Sequence, residues 1–206
     1  MIDEKRLDAL LHTNPDLINA IRSRRSIGKC TDAVPERSLI EQILEAATWA
    51  PNHKQTEPWR FVVLAGTARE ALGEAMGRAA ASKIADPDAA QAAFDKTVKK
   101  PLRAPYVIAA YAVPDPAMPV VEEVAATAAA VQNMLLASHA LGLAAMWRTG
   151  DLVFSQEVRE FLDMPDNAEM LGMIYIGYAN MAPPVRQRRS IDEVVTWRGE
   201  PGDGVA

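Results

Sequence analysis

The stretch "VEEVAATAAAVQNMLLASHALGLAAMW", Val121 to Trp147, decides the fold. From Val124 to Trp147 it runs 24 residues without Asp, Glu, Lys or Arg, long enough to span a bilayer. Its composition argues for a different setting. It is rich in alanine and carries Thr127, Gln132, Asn133, Ser138, His139 and Gly142, polar groups that are costly in lipid without partners. It reads as a long helix, Val121 to Leu141, closed by Gly142 and buried inside a protein or a dimer core, with a short strand, Leu143 to Trp147, after it. The helix is apolar nearly all round, so a partner subunit is expected to cover part of it.

Outward from this helix the periodicity predicts a small sheet. Strands are expected at Arg60 to Ala65, Tyr106 to Val113 and Met170 to Tyr178, besides the one ending at Trp147. Helices are expected from Asn14-Pro15 through the apolar face Leu17, Ile18 and Ile21. Others are expected over Pro35 to Ala50, Thr67 to Ala85 and Ala89 to Lys99, and from a Ser155 cap to Leu162. Long helices, few strands and no strict βαβ rhythm point to one α+β domain over 1–206, a small sheet flanked by helices. Residues 1–13 read as an extension and 182–206 as a tail that wraps over another surface.

The chain has 206 residues, 49% hydrophobic and 24% charged, the balance of a water-soluble globular protein. A net charge of −5 argues against a nucleic-acid surface. Cys30 is the only cysteine, so no intrachain disulfide can form. The first residues carry acids at once and no apolar run, which predicts no signal peptide and a cytoplasmic protein. Dinucleotide and P-loop fingerprints and a nucleophile elbow are absent. His12, His53 and His139 lie far apart without metal-ligand spacing, so no metal is expected. Cys30 follows Lys29, which could lower its pKa, but it reads better as a small core residue. With no side-chain nucleophile, enzyme chemistry here would need a bound cofactor.

Three clusters could hold one. Arg22 to Ser26, "RSRRS", sets arginines and a hydroxyl at a helix end, suited to phosphate or equally to a solvated face that complements the helix dipole. "APNHKQTEPWRFVVL", Ala50 to Leu64, is a glycine-free loop in which His53 and Lys54 can donate and Trp59 offers a flat wall, or simply anchors the strand. "LGLAAMWRTGD", Leu141 to Asp151, puts an aromatic, a cation, a hydroxyl and a glycine at one strand end, or a core Trp and a capped turn.

Taken together, "IRSRRSIGK", "APNHKQTEPWRFVV", "AAAVQNMLLASHALGLAAMWRTG", "LGMIYIGYA" and "RQRRSIDEVVTW", in this order between about Ile18 and Arg198, resemble the FMN-dependent nitroreductases, in particular the compact branch with an H-K-x-x-x-P-W loop. The resemblance implies a nitroreductase-like α+β fold with a mainly antiparallel sheet. It also implies an obligate homodimer with two FMN molecules at the interface, and NADH or NADPH as co-substrate. The implied reaction is a two-step hydride transfer through FMN to a nitroaromatic, quinone or similar small acceptor, with no protein side chain as acid or base. By position, Arg24, Arg25 and Ser26 would bind the FMN phosphate and ribityl chain. Trp49 and His53 would contact the flavin from the other chain. Trp147, Arg148 and Thr149 would line the flavin or ribityl, and Arg186 and Arg188 would close over the phosphate. The segment Ala137, Ser138, His139, Ala140, Leu141 and Gly142 would meet the nicotinamide nucleotide. The chain departs from many relatives at Gly28, where a basic residue is common. It departs again at Asn52 and Gln55 in the loop, and at Glu57, which brings negative charge before Pro58-Trp59 and bears on acceptor choice. Alternatives are another flavin enzyme on this fold (enone reductase, dehalogenase or flavin-fragmenting enzyme), a flavin-binding protein without turnover, and a cofactor-free helical scaffold.

Overall fold

The structure, a computed structural model, describes residues 15–183, 185 and 187–199. His12, Asn14 and Arg186 lie outside them.

The chain starts with α1 (Pro15–Ser23), α2 (Arg37–Thr48), β1 (Trp59–Ala65), α3 (Thr67–Ala81) and α4 (Pro87–Thr97). It continues with β2 (Tyr106–Ala112), α5 (Val120–Ala140), β3 (Ala144–Arg148), α6 (Gln156–Phe161) and β4 (Glu169–Gly177). The four strands lie in the order β1-β2-β4-β3, and each neighbouring pair is antiparallel. This is the expected α+β arrangement. The elements fall close to their sequence-based spans, with three differences at helix ends. α3 stops at Ala81, four residues before the expected Ala85, because Ser82 and Ile84 already turn back onto the last carbonyls. α4 begins two residues early, since Asp86 caps it by accepting from the Ala89 N–H and Pro87 sits at its first position. α2 is shorter than expected at both ends, with Glu36 as its N-cap and Trp49 as its C-cap.

The sheet has an apolar core on each face. On one, α2 and α5 cover Ile108, Ala110, Ile174 and Ile176, with Ile43, Ala130, Val131 and Met134 fully buried between. On the other, α3 and α6 bring Leu72, Ala75, Met76 and Val158 against Val107, Ala109, Met173 and Tyr175. The alternation along β2 and β4 feeds both faces at once, and it requires these two central strands to be near-continuous apolar runs. The edge strands β1 and β3 are shorter on buried positions.

α5 crosses one face as the sequence predicts. Leu141 is its C-cap and Gly142 follows at φ +75°, a conformation that glycine adopts without strain. The helix is not enclosed all round. Val121, Ala125, Gln132 and Ala140 are exposed, and Ala128, Ala129 and Leu136 half-buried, in one stripe at helical spacing. Among the described residues α5 is also the one helix long and apolar enough to cross a membrane.

Candidate active site

The site is built along the outer edge of β3. After α1 the chain turns at Arg24, whose N–H still bonds to the Ala20 carbonyl, and then runs beside β3. Ser26 pairs with Ala145 as a parallel bridge, and the Ile27 N–H donates to the Ala145 carbonyl at 3.1 Å. The "RSRRS" cluster and the "MWRTG" strand end, separate in sequence, thus become neighbours.

Arg24 is the central residue of the cluster. Its Nη1 is buried and has no hydrogen-bond partner. Burial first, then the neighbouring Arg188 and Arg25, push its pKa down. Among the described residues no acid answers these cations: the ion pairs are Arg37–Glu41 and His53–Glu122. A buried donor left unpaired costs about 1–3 kcal/mol, so this arrangement calls for an anion. The basic tail residue Arg188 reaches the cluster although some 160 residues separate it from Arg24 in sequence.

The other arginine of the pair is engaged with the backbone. Arg25 Nη1 donates to the carbonyls of Arg22 at 2.6 Å and Arg24 at 2.9 Å, so its guanidinium closes the C-terminal end of α1. Ser26 is exposed. Ser23 Oγ, not singled out from sequence, donates to the Asn19 carbonyl at 2.7 Å and lies 2.9 Å from His139 Nε2, tying α1 to the end of α5.

Within the expected nucleotide segment, Ser138 is fully buried and its hydroxyl donates to the Met134 carbonyl at 2.8 Å. Its side chain is therefore spent on α5, whereas Ala140 and Gly142 are exposed at the turn.

At the end of β3, side chains alternate across the sheet. Trp147 packs with the α5 core, and its Nε1 donates to the Leu171 carbonyl at 2.9 Å. This close approach depends on Gly172, which sits at a β-bulge with φ +143°; a Cβ there would overlap the Trp147 indole. Arg148 turns to the other face. Its guanidinium lies 5.0 Å from the centroid of the Tyr175 ring, and Nη2 donates to the Gly28 carbonyl at 3.3 Å. Gly28 makes this possible, since a Cβ at that position would stand 2.8 Å from Nη2. Thr149 and Gly150 are exposed.

The glycine-free loop between α2 and β1 holds backbone strain. Lys54, Gln55 and Glu57 have φ of +52°, +56° and +46°, left-handed values that are rare for non-glycine residues and that persist only where surroundings impose them. Those surroundings are carboxylates at the start of α5. His53 Nδ1 lies 2.6 Å from Glu122 Oε2. Glu123, fully buried, accepts from Thr56 Oγ1 at 2.7 Å and from the Asp115 N–H at 3.1 Å. Asn52 Oδ1 accepts from the Glu57 N–H at 3.1 Å. Sequence reasoning missed Glu122 and Glu123 because acids in a first helical turn ordinarily complement the dipole. Trp59 is buried among Ile40, Ile43 and Ile108, so it anchors the strand and is not the flat wall that the loop's composition allowed. Trp49 is 80% exposed. Cys30 is buried and its thiol pKa is raised by that burial, against the lowering that Lys29 could have produced.

Comparisons with known proteins bear on the family and the fold. The Nitroreductase family model matches residues 21–178. A Bacillus subtilis (strain 168) protein, provisionally named NAD(P)H nitroreductase YfhC, is 30% identical over 188 residues, 90% of this chain and 96% of its own length. Among solved structures, a nitroreductase-like family protein from Bacillus cereus superposes with a TM-score of 0.80 at 29% identity, covering 92% of this chain and all of its own. A provisionally named nitroreductase from Desulfovibrio desulfuricans, solved in complex with FMN, gives a TM-score of 0.68 at 26% identity over 92% of this chain and all of its own. With this match across most of its length, the chain belongs to the nitroreductase family.

Proposed function

We propose that this protein is an FMN-dependent oxidoreductase that takes reducing equivalents from NADH or NADPH and delivers them to a nitroaromatic, a quinone or a similar small acceptor. The observation that carries this reading is the unpaired, buried Nη1 of Arg24 beside Arg188. A phosphate dianion supplies both what that donor lacks and what the crowded cations lack. The D. desulfuricans relative solved with FMN supports the choice of phosphate-bearing ligand.

Bound FMN would supply the redox chemistry, accepting a hydride from the nicotinamide nucleotide and releasing electrons to the acceptor. The chain's own residues bind and orient. Arg24 and Arg188, with Arg186 from outside the described residues, hold the phosphate. Arg25 keeps the end of α1 closed so that Arg24 is fixed. Ser26 and Thr149 offer hydroxyls to the ribityl chain. Trp147, locked by its bond to Leu171, and Arg148 border the ring side of the site. The exposed turn within Ala137 to Gly142 meets the nicotinamide nucleotide.

The same reading makes the protein a cytoplasmic homodimer of one domain per chain, with FMN at the interface. The exposed stripe of α5, the 80% exposed Trp49 and the exposed Ile191, Val194 and Trp197 of the tail support it; apolar surface of this kind marks an interface. Across that interface Trp49 and His53 of each chain meet the flavin of the other. The test is the visible spectrum of the purified protein. A flavin spectrum that bleaches with NADH or NADPH and returns with a nitroarene or quinone is expected; a protein that stays colourless after incubation with FMN contradicts the proposal.

A further inference from the structure

A second, smaller cavity of about 240 Å³ lies beside the end of the sheet where β1 stops and β2 starts. Among the described residues four buried side-chain polar atoms lack a hydrogen-bond partner. Two of them, the Thr31 hydroxyl and Arg69 Nε, belong to side chains that line this one cavity. Both side chains are held in place. The Thr31 N–H donates to the Tyr178 carbonyl at 2.8 Å, and Arg69 Nη1 donates to the Ala104 carbonyl at 2.6 Å.

The same cavity is lined by two exposed carboxylates, Asp32 and Glu70. Arg69 pairs with neither: among the described residues the ion pairs are Arg37–Glu41 and His53–Glu122. One guanidinium and two carboxylates thus face one space without neutralising one another. The rest of the wall is apolar, with Val34 and Leu102 exposed and Pro105 buried. None of these residues belongs to the Arg24 cluster, to the end of β3 or to the loop between α2 and β1.

We infer that this cavity binds a small α-amino acid in its zwitterionic form. A simple anion would be repelled by Asp32 and Glu70. A simple cation would leave the buried Arg69 and Thr31 groups unpaired, which is costly. A zwitterion answers both. Its carboxylate accepts from Arg69 Nε and the Thr31 hydroxyl, charge-assisted bonds about twice as strong as neutral ones. Its ammonium faces Asp32 and Glu70, and a short aliphatic side chain lies against Val34, Leu102 and Pro105. Pockets for drug-sized ligands run about 300–1,000 Å³, so this space selects a small occupant. The inference stands without the FMN assignment.

The test uses the full-length protein saturated with FMN, or as purified should FMN not bind. It is titrated by calorimetry with glycine, L-alanine, L-serine and L-valine, and with acetate and ethylamine as single-charge controls. At least one amino acid is expected to bind, about tenfold or more tightly than either control. Thr31→Val and Arg69→Met should each weaken that binding about tenfold or more, and Asp32→Asn severalfold. Arg69 also holds the Ala104 carbonyl; should Arg69→Met fail to fold, Thr31→Val and Asp32→Asn decide. Flavin absorbance should not change as the amino acid binds. No binding of any of the four at millimolar concentration leaves the cavity to water and overturns the inference. So does binding that acetate or ethylamine matches, binding that the variants retain, or a flavin shift that survives Thr31→Val.

Discussion

His53 Nδ1 lies 2.6 Å from Glu122 Oε2, and this contact joins the glycine-free loop to the first turn of α5. The next residue, Glu123, holds the same loop from beneath through Thr56. One carboxylate is partly exposed and the other fully buried, so the two are expected to matter in different ways.

Replacing the exposed partner should cost little stability, because a surface ion pair contributes about 0–1 kcal/mol. Glu122→Gln should therefore melt near wild type, while turnover falls as His53 loses its fixed orientation. Glu123→Leu strips the hydrogen bonds of Thr56 and the Asp115 N–H, and should lose roughly 2–4 kcal/mol. Urea unfolding of both variants alongside steady-state rates checks this; a Glu122→Gln enzyme of wild-type rate would show that the contact does not orient His53 for catalysis.

Gly172→Ala should be among the most damaging single-methyl additions. The new Cβ meets the Trp147 indole and the Arg148 carbonyl at a left-handed φ, so strain and overlap add, at about 1–3 kcal/mol each. A lowered melting temperature together with a shifted tryptophan emission is expected. Unchanged emission would mean that Trp147 does not depend on the bulge for its position.

The thiol of Cys30 gives a pH signature. Burial raises its pKa in the folded chain, so below the unfolded value, about 8.5, both states hold the proton and its contribution to stability is complete. As pH rises, the unfolded chain loses the proton first, and stability is lost through the folded pKa. Cys30→Ala should flatten the decline that begins above about pH 8.5, and native Cys30 should react slowly with thiol reagents until urea is added. Rapid labelling of the native protein would contradict the burial account.

The exposed stripe of α5 yields an assembly prediction. Ala125 is exposed on the chain, so Ala125→Arg should leave the fold of one chain intact and place a charge inside a dimer interface. Sedimentation should show wild-type dimers turned to monomers, with loss of bound FMN. A dimer that survives the substitution puts the interface elsewhere.

The fold was legible because its signals are local and repetitive. The uncharged run of α5, the apolar strands β2 and β4, the Ser155 cap and the closing Gly142 each announce themselves within a few residues. The two clusters of the candidate site, at Arg24 and at the strand end of β3, stand out in the sequence by residue type and spacing. The supports of the site do not. Glu123 and Gly172 act through contacts tens of residues away, which no local period encodes. The same limit made Trp59 ambiguous: an aromatic beside a polar loop can face a ligand or a core, and only the packing against Ile40 and Ile43 decides.

The phosphate assignment of Arg24 is tested most directly by titrating wild type and Arg24→Ala with FMN and with riboflavin, following flavin fluorescence. A charge-assisted bond contributes roughly 1.5–3 kcal/mol, so FMN should bind Arg24→Ala about tenfold to a hundredfold more weakly. Riboflavin, which lacks the phosphate, should bind both alike. Equal weakening of the two flavins, or no change in either, would contradict a phosphate site at Arg24.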